Sequence, residues 1–198
     1  MEVTGPQQDL ERFVSGLIKS EGSFRLIESY YPCPEELREV EHGWSSDDAV
    51  QAEREKKYEA NLAKYGAKSW YDWQYKHWGT KWGDCETMMN SSPVYTDGQG
   101  SVDFWYQSAW GTLTEAWVHI SQQFPTLTFD FYHDEEAGFF EGYEVIRNGK
   151  VIAEAMYEPC EYPGEVDWDD EKSMEKYDKW REKMLDACDA KKQALLSI

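Results

Sequence analysis

Lys81 stands one residue before Trp82 and three after Trp78, a cation flanked by two indole rings. Such a cation either stacks on a ring of its own chain or meets a phosphate while a ring stacks a base. For the second chemistry Trp78, Trp82 and Trp110 are the candidate rings, and Arg147 or Lys150 the candidate second cation. Stacking within the chain is the commoner fate. His133-Asp134-Glu135-Glu136 is the one dense run of metal-type donors. Hard cations accept such oxygens and His133 suits a transition metal, but adjacent loop residues rarely converge on one ion. The run reads as an acidic strand end, and no metal is expected. His42, His77 and His119 stand far apart, and His77 beside Trp78 reads as a packed histidine rather than a general base. The serines fall in loops or caps, and Gly98-Gln99-Gly100 is too short for a phosphate loop. Cys33, Cys85, Cys160 and Cys188 show no ligand spacing and read as free thiols of a reducing compartment. These residues assign no catalytic group and no cofactor, and the expectation is a protein that is not an enzyme.

The element that must position Lys81 is the stretch from Trp70 to Trp82, which holds four tryptophans and two tyrosines. On a helix Trp70, Trp73 and His77 share one face, and Tyr71, Tyr75 and Trp78 the adjoining one. Gly79 is placed to end that helix. Each ring buries about 150–250 Å² when packed, so the segment is a core plug or a ligand platform, with the core plug favoured.

Upstream, residues 1–5 read as a strand, and Pro6 opens a helix with Leu10, Phe13, Val14, Leu17 and Ile18 on one stripe until Gly22 breaks it. Ser23 to Tyr31 alternates well enough to predict a strand. Residues 35–37 begin a turn or short helix. Residues 45–66 predict a polar helix capped by Ser45 or Ser46, with Asp47 and Asp48 in its first turn and a Glu53–Lys57 pair. Its apolar side is thin, as in an exposed arm. Downstream, loops are expected at 90–93 and 97–100, then a strand with Val102, Phe104 and Tyr106 on one face. Thr112 to Glu115 has the pattern of a capping box. The helix it opens lines up Leu113, Ala116, Trp117, Ile120 and Phe124 before Pro125. Leu127, Phe129 and Phe131 mark another strand, Asn148-Gly149 a hairpin between Tyr143–Arg147 and Lys150–Tyr157, and residues 171–195 a final helix.

Two strand-helix-strand halves of this kind predict an α+β fold, a ferredoxin-like β-α-β repeat sandwich with a helical insertion and a C-terminal helix. The domain would occupy residues 1–165 with its insertion at about 45–90. The acidic helix of 166–198 would pack on or beside it, or pair with a second copy in a homodimer.

The net charge is −19, with nineteen acidic and nine basic residues in 127–198 and twenty and eleven in 1–126. A surplus spread this widely opposes direct binding to nucleic acid or to an anionic membrane. It suits a basic protein partner or mimicry of a polyanion. No apolar run approaches the length of a membrane span.

Val3-Thr4-Gly5-Pro6, Tyr31-Pro32-Cys33-Pro34-Glu35-Glu36-Leu37, His77-Trp78-Gly79-Thr80-Lys81-Trp82, Ser108-Ala109-Trp110 and Phe124-Pro125-Thr126-Leu127-Thr128-Phe129 occur in this order. The set resembles the Api92-like (YubB-type) proteins of bacteriophages and plasmids, from about residue 2 to 157. The Trp-Gly-Thr-Lys-Trp piece is the most specific. The resemblance implies a ferredoxin-like domain, a phage or mobile-element origin and a cytoplasmic setting in the host bacterium. It carries over no catalytic residue. The acidic arm and the helix after 165 look like additions to the family pattern.

The first functional expectation is therefore a counter-defence or host-takeover protein that binds a basic surface on a host protein. Its acidic candidates are Asp47, Asp48, Glu53 and Glu55 of the arm, and Asp167, Asp169, Asp170 and Glu171 before the final helix. The alternative is a binder that sequesters a nucleotide-type signal in an aromatic pocket.

Overall fold

A computed structural model describes residues 1–20, 23–40 and 43–197. Gly22 and His42 lie outside the described residues. The strands and helices in chain order are β1 (Glu2–Pro6), α1 (Gln7–Ser15), β2 (Ile18–Ser20), β3 (Ser23–Arg25), α2 (Leu26–Tyr30), α3 (Glu35–Arg38), α4 (Asp48–Tyr65), α5 (Trp70–Trp78), β4 (Cys85–Met89), β5 (Val94–Thr96), β6 (Gln99–Gln107), α6 (Thr114–Gln123), β7 (Thr128–Asp134), β8 (Glu141–Arg147), β9 (Lys150–Tyr157) and α7 (Glu171–Leu196). They form two compact units. The first comprises Met1–Leu10, Ser91–Asp103 and Ser121–Ile198, the second Glu11–Asn90 and Phe104–Ile120.

In the first unit an antiparallel sheet runs in the order β6-β1-β7-β8-β9, and β5 also pairs with β6. The strands β6 and β7 flank β1 and both oppose it, with α6 between them in sequence, which is the split β-α-β of a ferredoxin-like fold. One face buries Val3, Val102, Phe129 and Ile146. The β8–β9 hairpin turns at Asn148 and Gly149, with φ of 47° and 76°, and its arms meet at Arg147 and Lys150. Asp97 and Gly98, at 51° and 77°, make the same kind of turn between β5 and β6. Of the loop expected at 97–100, Asp97 and Gly98 are the turn of this second hairpin, while Gln99 and Gly100 already belong to β6. Asp-Gly was legible there, but the short and exposed β5 left no alternation to read.

Helix α7 docks on this sheet within its own chain. Trp180, Met184 and Leu185 pack with Tyr143, Ala155, Tyr157 and Cys188. Asp170 caps the helix by accepting from the Lys172 amide at 3.2 Å. The fully buried Glu141 receives the Arg181 guanidinium, Nε at 2.9 Å and Nη2 at 2.5 Å, and the hydroxyls of Tyr132 and Tyr157. Burial alone would raise the Glu141 pKa, but the Arg181, Tyr132 and Tyr157 hydrogen bonds outweigh it and hold the carboxyl below its ordinary value.

In the second unit α1 ends at Ser15, earlier than the apolar stripe predicts. The Ile18 amide donates to Ser29 Oγ at 2.8 Å, and Ile18 joins β2 with its side chain exposed. A Cβ on Gly16 would sit 2.6 Å from the Tyr30 hydroxyl oxygen. The strand expected over Ser23–Tyr31 stops at Arg25, and the chain continues as α2. The reason is distant in sequence: Asp84 accepts from the Leu26 and Ile27 amides, each at 2.8 Å, and from the Thr87 hydroxyl at 2.6 Å. That carboxylate does the work of a helix cap. Helix α4 is capped by Asp47, which accepts from Ala49 N and Val50 N, rather than by Ser45 or Ser46. Leu113, not Thr112, occupies the cap position of α6, where its carbonyl accepts from Trp117 N, and the Thr112 hydroxyl meets that of Thr114 at 2.8 Å. The predicted stripe of α6 is buried throughout. The last residues of β6 pair with β4, a strand absent from the sequence expectation and interrupted by a register shift with Glu86 at φ 50°.

Replacing Glu141 with Gln is expected to lower unfolding stability by about 2 kcal/mol at neutral pH, since Arg181 loses its charged partner while staying partly solvated. Because the folded pKa of Glu141 is depressed, its contribution is complete above about pH 4.3 and fades as pH falls through the folded value. Denaturant melts of wild type and E141Q should therefore converge on acidification. A constant gap from neutral pH into that acid range would refute this account.

Candidate functional site

The aromatic segment divides between core and surface. Ser69 precedes α5 and its hydroxyl donates to Asp72 at 3.1 Å; Gly79 closes the helix at φ 83°. The left-handed φ favours glycine there, and a Cβ would in addition press on the Glu115 carboxylate. Within the helix Trp73 and Trp78 are buried, Trp78 only 1 % exposed, with Nε1 donating to the Tyr31 carbonyl at 3.0 Å. The helix is thus the favoured core plug. Beyond Gly79 the chain reverses, the Thr80 hydroxyl donates to the Trp82 carbonyl, and Trp82 emerges 46 % exposed.

Trp82 meets Trp110 there, their ring centroids 6.4 Å apart and tilted by 33°. Lys81 Nζ lies 4.0 Å from the Trp82 centroid and 4.6 Å from that of Trp110. The cation stacks on its own chain, as the commoner reading expects, and on Trp110 as well as Trp82. Trp110 is 72 % exposed and sits at φ 58°, in a turn where the Ser108 hydroxyl donates to the Gly111 carbonyl at 2.6 Å. A non-glycine residue is strained in that left-handed region. A ring left largely in water adds little to folding, and the turn that carries it is strained, which marks the position as one shaped by something other than packing.

A cleft of about 300 Å³ borders Trp82, lined also by Arg25, Gln74, Trp78, Asp84 and Cys85 among others. Gln74 is buried, and its Oε1 accepts no hydrogen bond from a described residue. Such an orphan acceptor costs about 1–3 kcal/mol. Burial, aided by the Asp84 charge, pushes the Cys85 thiol pKa up, so Cys85 is held as a thiol rather than as a nucleophilic thiolate. All four cysteines are free, and burial raises Cys33 to about 11.

The structure also joins histidines that are remote in sequence. Tyr31 stacks on His119 with centroids 3.7 Å apart, and its hydroxyl bonds His77 Nδ1 at 2.5 Å, while His77 stacks on Trp73 at 4.3 Å. Burial, then Lys76 and His119, lowers the His77 pKa, and burial lowers that of His119, so both rings stay neutral at pH 7. Sequence reasoning missed Tyr31, Gln74 and His119 because no local pattern links positions separated by 40 residues or more.

The other sequence candidates lie elsewhere. Arg147 and Lys150 face each other across the β8–β9 turn in the first unit. Asp47, Asp48, Glu53 and Glu55 are exposed on or beside α4 in the second unit, where Glu53 pairs with Lys57 at 3.7 Å and Glu55 accepts from Gln51 at 3.0 Å. Asp167, Asp169, Asp170 and Glu171 are exposed in the first unit, with Trp168 standing out among them. His133 meets Glu144 at 3.4 Å, Asp134 meets Arg181 at 3.7 Å, and Glu135 accepts from the Phe139 amide at 3.0 Å, so the acidic run disperses among separate partners.

Trp78→Ala is expected to cost about 3–5 kcal/mol, as for other buried tryptophans, whereas Trp110→Ala should stay within about 0.5 kcal/mol of wild type, because the ring is exposed and alanine keeps the same left-handed turn. Chemical denaturation of the two variants checks the division between core and platform.

The family model described as the ferredoxin-like domain in Api92-like protein matches residues 77–178, from the last turn of α5 into α7. No curated protein and no solved structure matches the chain.

Proposed function

From the premise that the chain belongs to the Api92-like protein family, through its ferredoxin-like domain, we propose that it acts by binding rather than by catalysis. Its partner is a host protein with a basic surface, and its task is counter-defence or host takeover on behalf of a phage or mobile element, inside the host cytoplasm. The observation that carries this reading is the exposed Trp82–Lys81–Trp110 stack. Tryptophans are enriched among the residues that dominate protein interfaces, and two rings clamped on one cation lose little freedom when a partner covers them. The acidic residues of α4 belong to the same unit, and only Asn61 of that helix is buried. Their role is to steer a basic partner at long range. Among the described residues no helix is long and apolar enough to cross a membrane.

The orphan Gln74 Oε1 favours a second reading, a nucleotide-type small molecule in the cleft beside Trp82. A base amine would donate to that oxygen while the ring stacks on the indole.

The test is a pull-down from host lysate with the tagged full chain, its W82A/W110A variant and a Glu53→Lys/Glu55→Lys variant. A basic protein retained at low salt and released at high salt is expected. The tryptophan variant should weaken binding by about tenfold or more, and the charge variant should weaken it chiefly at low salt. An empty pull-down, or a partner indifferent to both variants, would exclude the protein-binding reading and leave the nucleotide.

A further inference from the structure

The sheet of the first unit carries a feature that the protein-binding reading leaves unused. Val94 pairs with Ser101, Ser101 with Thr4, Thr4 with Thr128, and Thr128 with Arg147, so these five residues form one line across five strands. Residues directly opposite each other in antiparallel strands point to the same face. Arg147 in turn pairs with Lys150. The five residues from Val94 to Arg147 all line one cleft of about 640 Å³. With strands about 4.8 Å apart, the line from Ser101 to Arg147 spans about 14 Å.

Two observations define what such a cleft accepts. Acidic residues number 39 of 198 in the chain, yet none among the described residues lines it. Its polar groups are the hydroxyls of Ser101 and four threonines, together with Gln99 and Arg147. Arg147 is exposed, and neither it nor Thr4, Ser101 or Thr128 has a side-chain partner among the described residues. The neighbouring row on that face, Glu2 with Asp103 and Asp130, is acidic, but Lys192 engages Asp130 at 3.2 Å. An unpaired guanidinium recognises phosphate through its fork of donors. Hydroxyls both donate and accept, which suits the hydroxyls of a sugar.

We propose that this cleft binds a phosphorylated sugar, free or within a nucleotide, with Arg147 on the phosphate and Ser101, Thr4 and Thr128 on the sugar. Lys150 adds positive charge at the phosphate end. The site is independent of the Trp82 platform and stands if that platform has no protein partner.

The test is a titration of the isotope-labelled full chain with inorganic phosphate, ribose 5-phosphate and adenosine monophosphate, followed by the amide signals of Thr4, Ser101 and Thr128. Ribose 5-phosphate should bind about tenfold more tightly than phosphate alone. Arg147→Gln should weaken it by about tenfold or more, and Thr128→Val, which suits a strand, by about threefold. Lys176→Gln, an exposed cation on α7, should leave it unchanged. Tighter binding of the nucleotide would identify it as the natural form, and weaker binding the free sugar phosphate. Equal binding of phosphate and ribose 5-phosphate would overturn the proposal, as would absent shifts, undiminished affinity in R147Q, or shifts centred on Gln74 and Trp82.

Discussion

A carboxylate can leave water only if its oxygens are met by donors, and each unit of this protein closes around one that is. In the second unit Asp84 gathers the amides of Leu26 and Ile27 and the hydroxyl of Thr87. That gathering ends β3, starts α2 and anchors the chain between Trp82 and β4. In the first unit Glu141 gathers groups from β7, β9 and α7. Remove its charge and the terminal helix keeps its aromatic contacts but loses the Arg181 fork that sets its position along the sheet. In a chain so rich in acid, these two side chains differ from the exposed ones only in what surrounds them.

The surplus of acid shapes the surface in a second way. Where most of the exterior repels anions, a lining without carboxylates, such as the one beside Arg147, stands out electrostatically. The same contrast applies to Lys81, whose charge is met by two rings rather than by an acid. Among the described residues neither cation joins an ion pair of the kind that occupies Lys64, Arg181 and Lys192.

The tryptophan-rich segment combines both roles within thirteen residues. Its helical part supplies Trp73 and Trp78 to the core, and the residues after Gly79 project Trp82 outward. The glycine separates them, because its left-handed conformation reverses the chain at the point where a side chain would strike Glu115. Core and platform are therefore joined by a short stretch of chain: only Gly79, Thr80 and Lys81 separate the buried Trp78 from the exposed Trp82.

Much of the fold was legible in the sequence. The buried stripe of α6, the alternation of β7, the Asn-Gly hairpin of β8 and β9 and the span of α7 are local patterns, and local physics suffices to read them. So too the helix of Trp70–Trp78 and its stop at Gly79, and, through the Trp-Gly-Thr-Lys-Trp motif, the family. The candidate site was legible only in part: Lys81, Trp82 and Trp110 could be named, but not that the three stack together. The strand expected over Ser23–Tyr31 became a helix because its cap comes from Asp84, 58 residues away. The pairing of His77 with His119 through Tyr31, and the alignment of Thr4, Ser101, Thr128 and Arg147, likewise join positions that share no periodicity. The sequence by itself determined composition, local periodicity and turns, since these depend on neighbours along the chain. Only the tertiary structure decided which carboxylates are buried, which rings remain in water and which hydroxyls align, because those depend on neighbours in space.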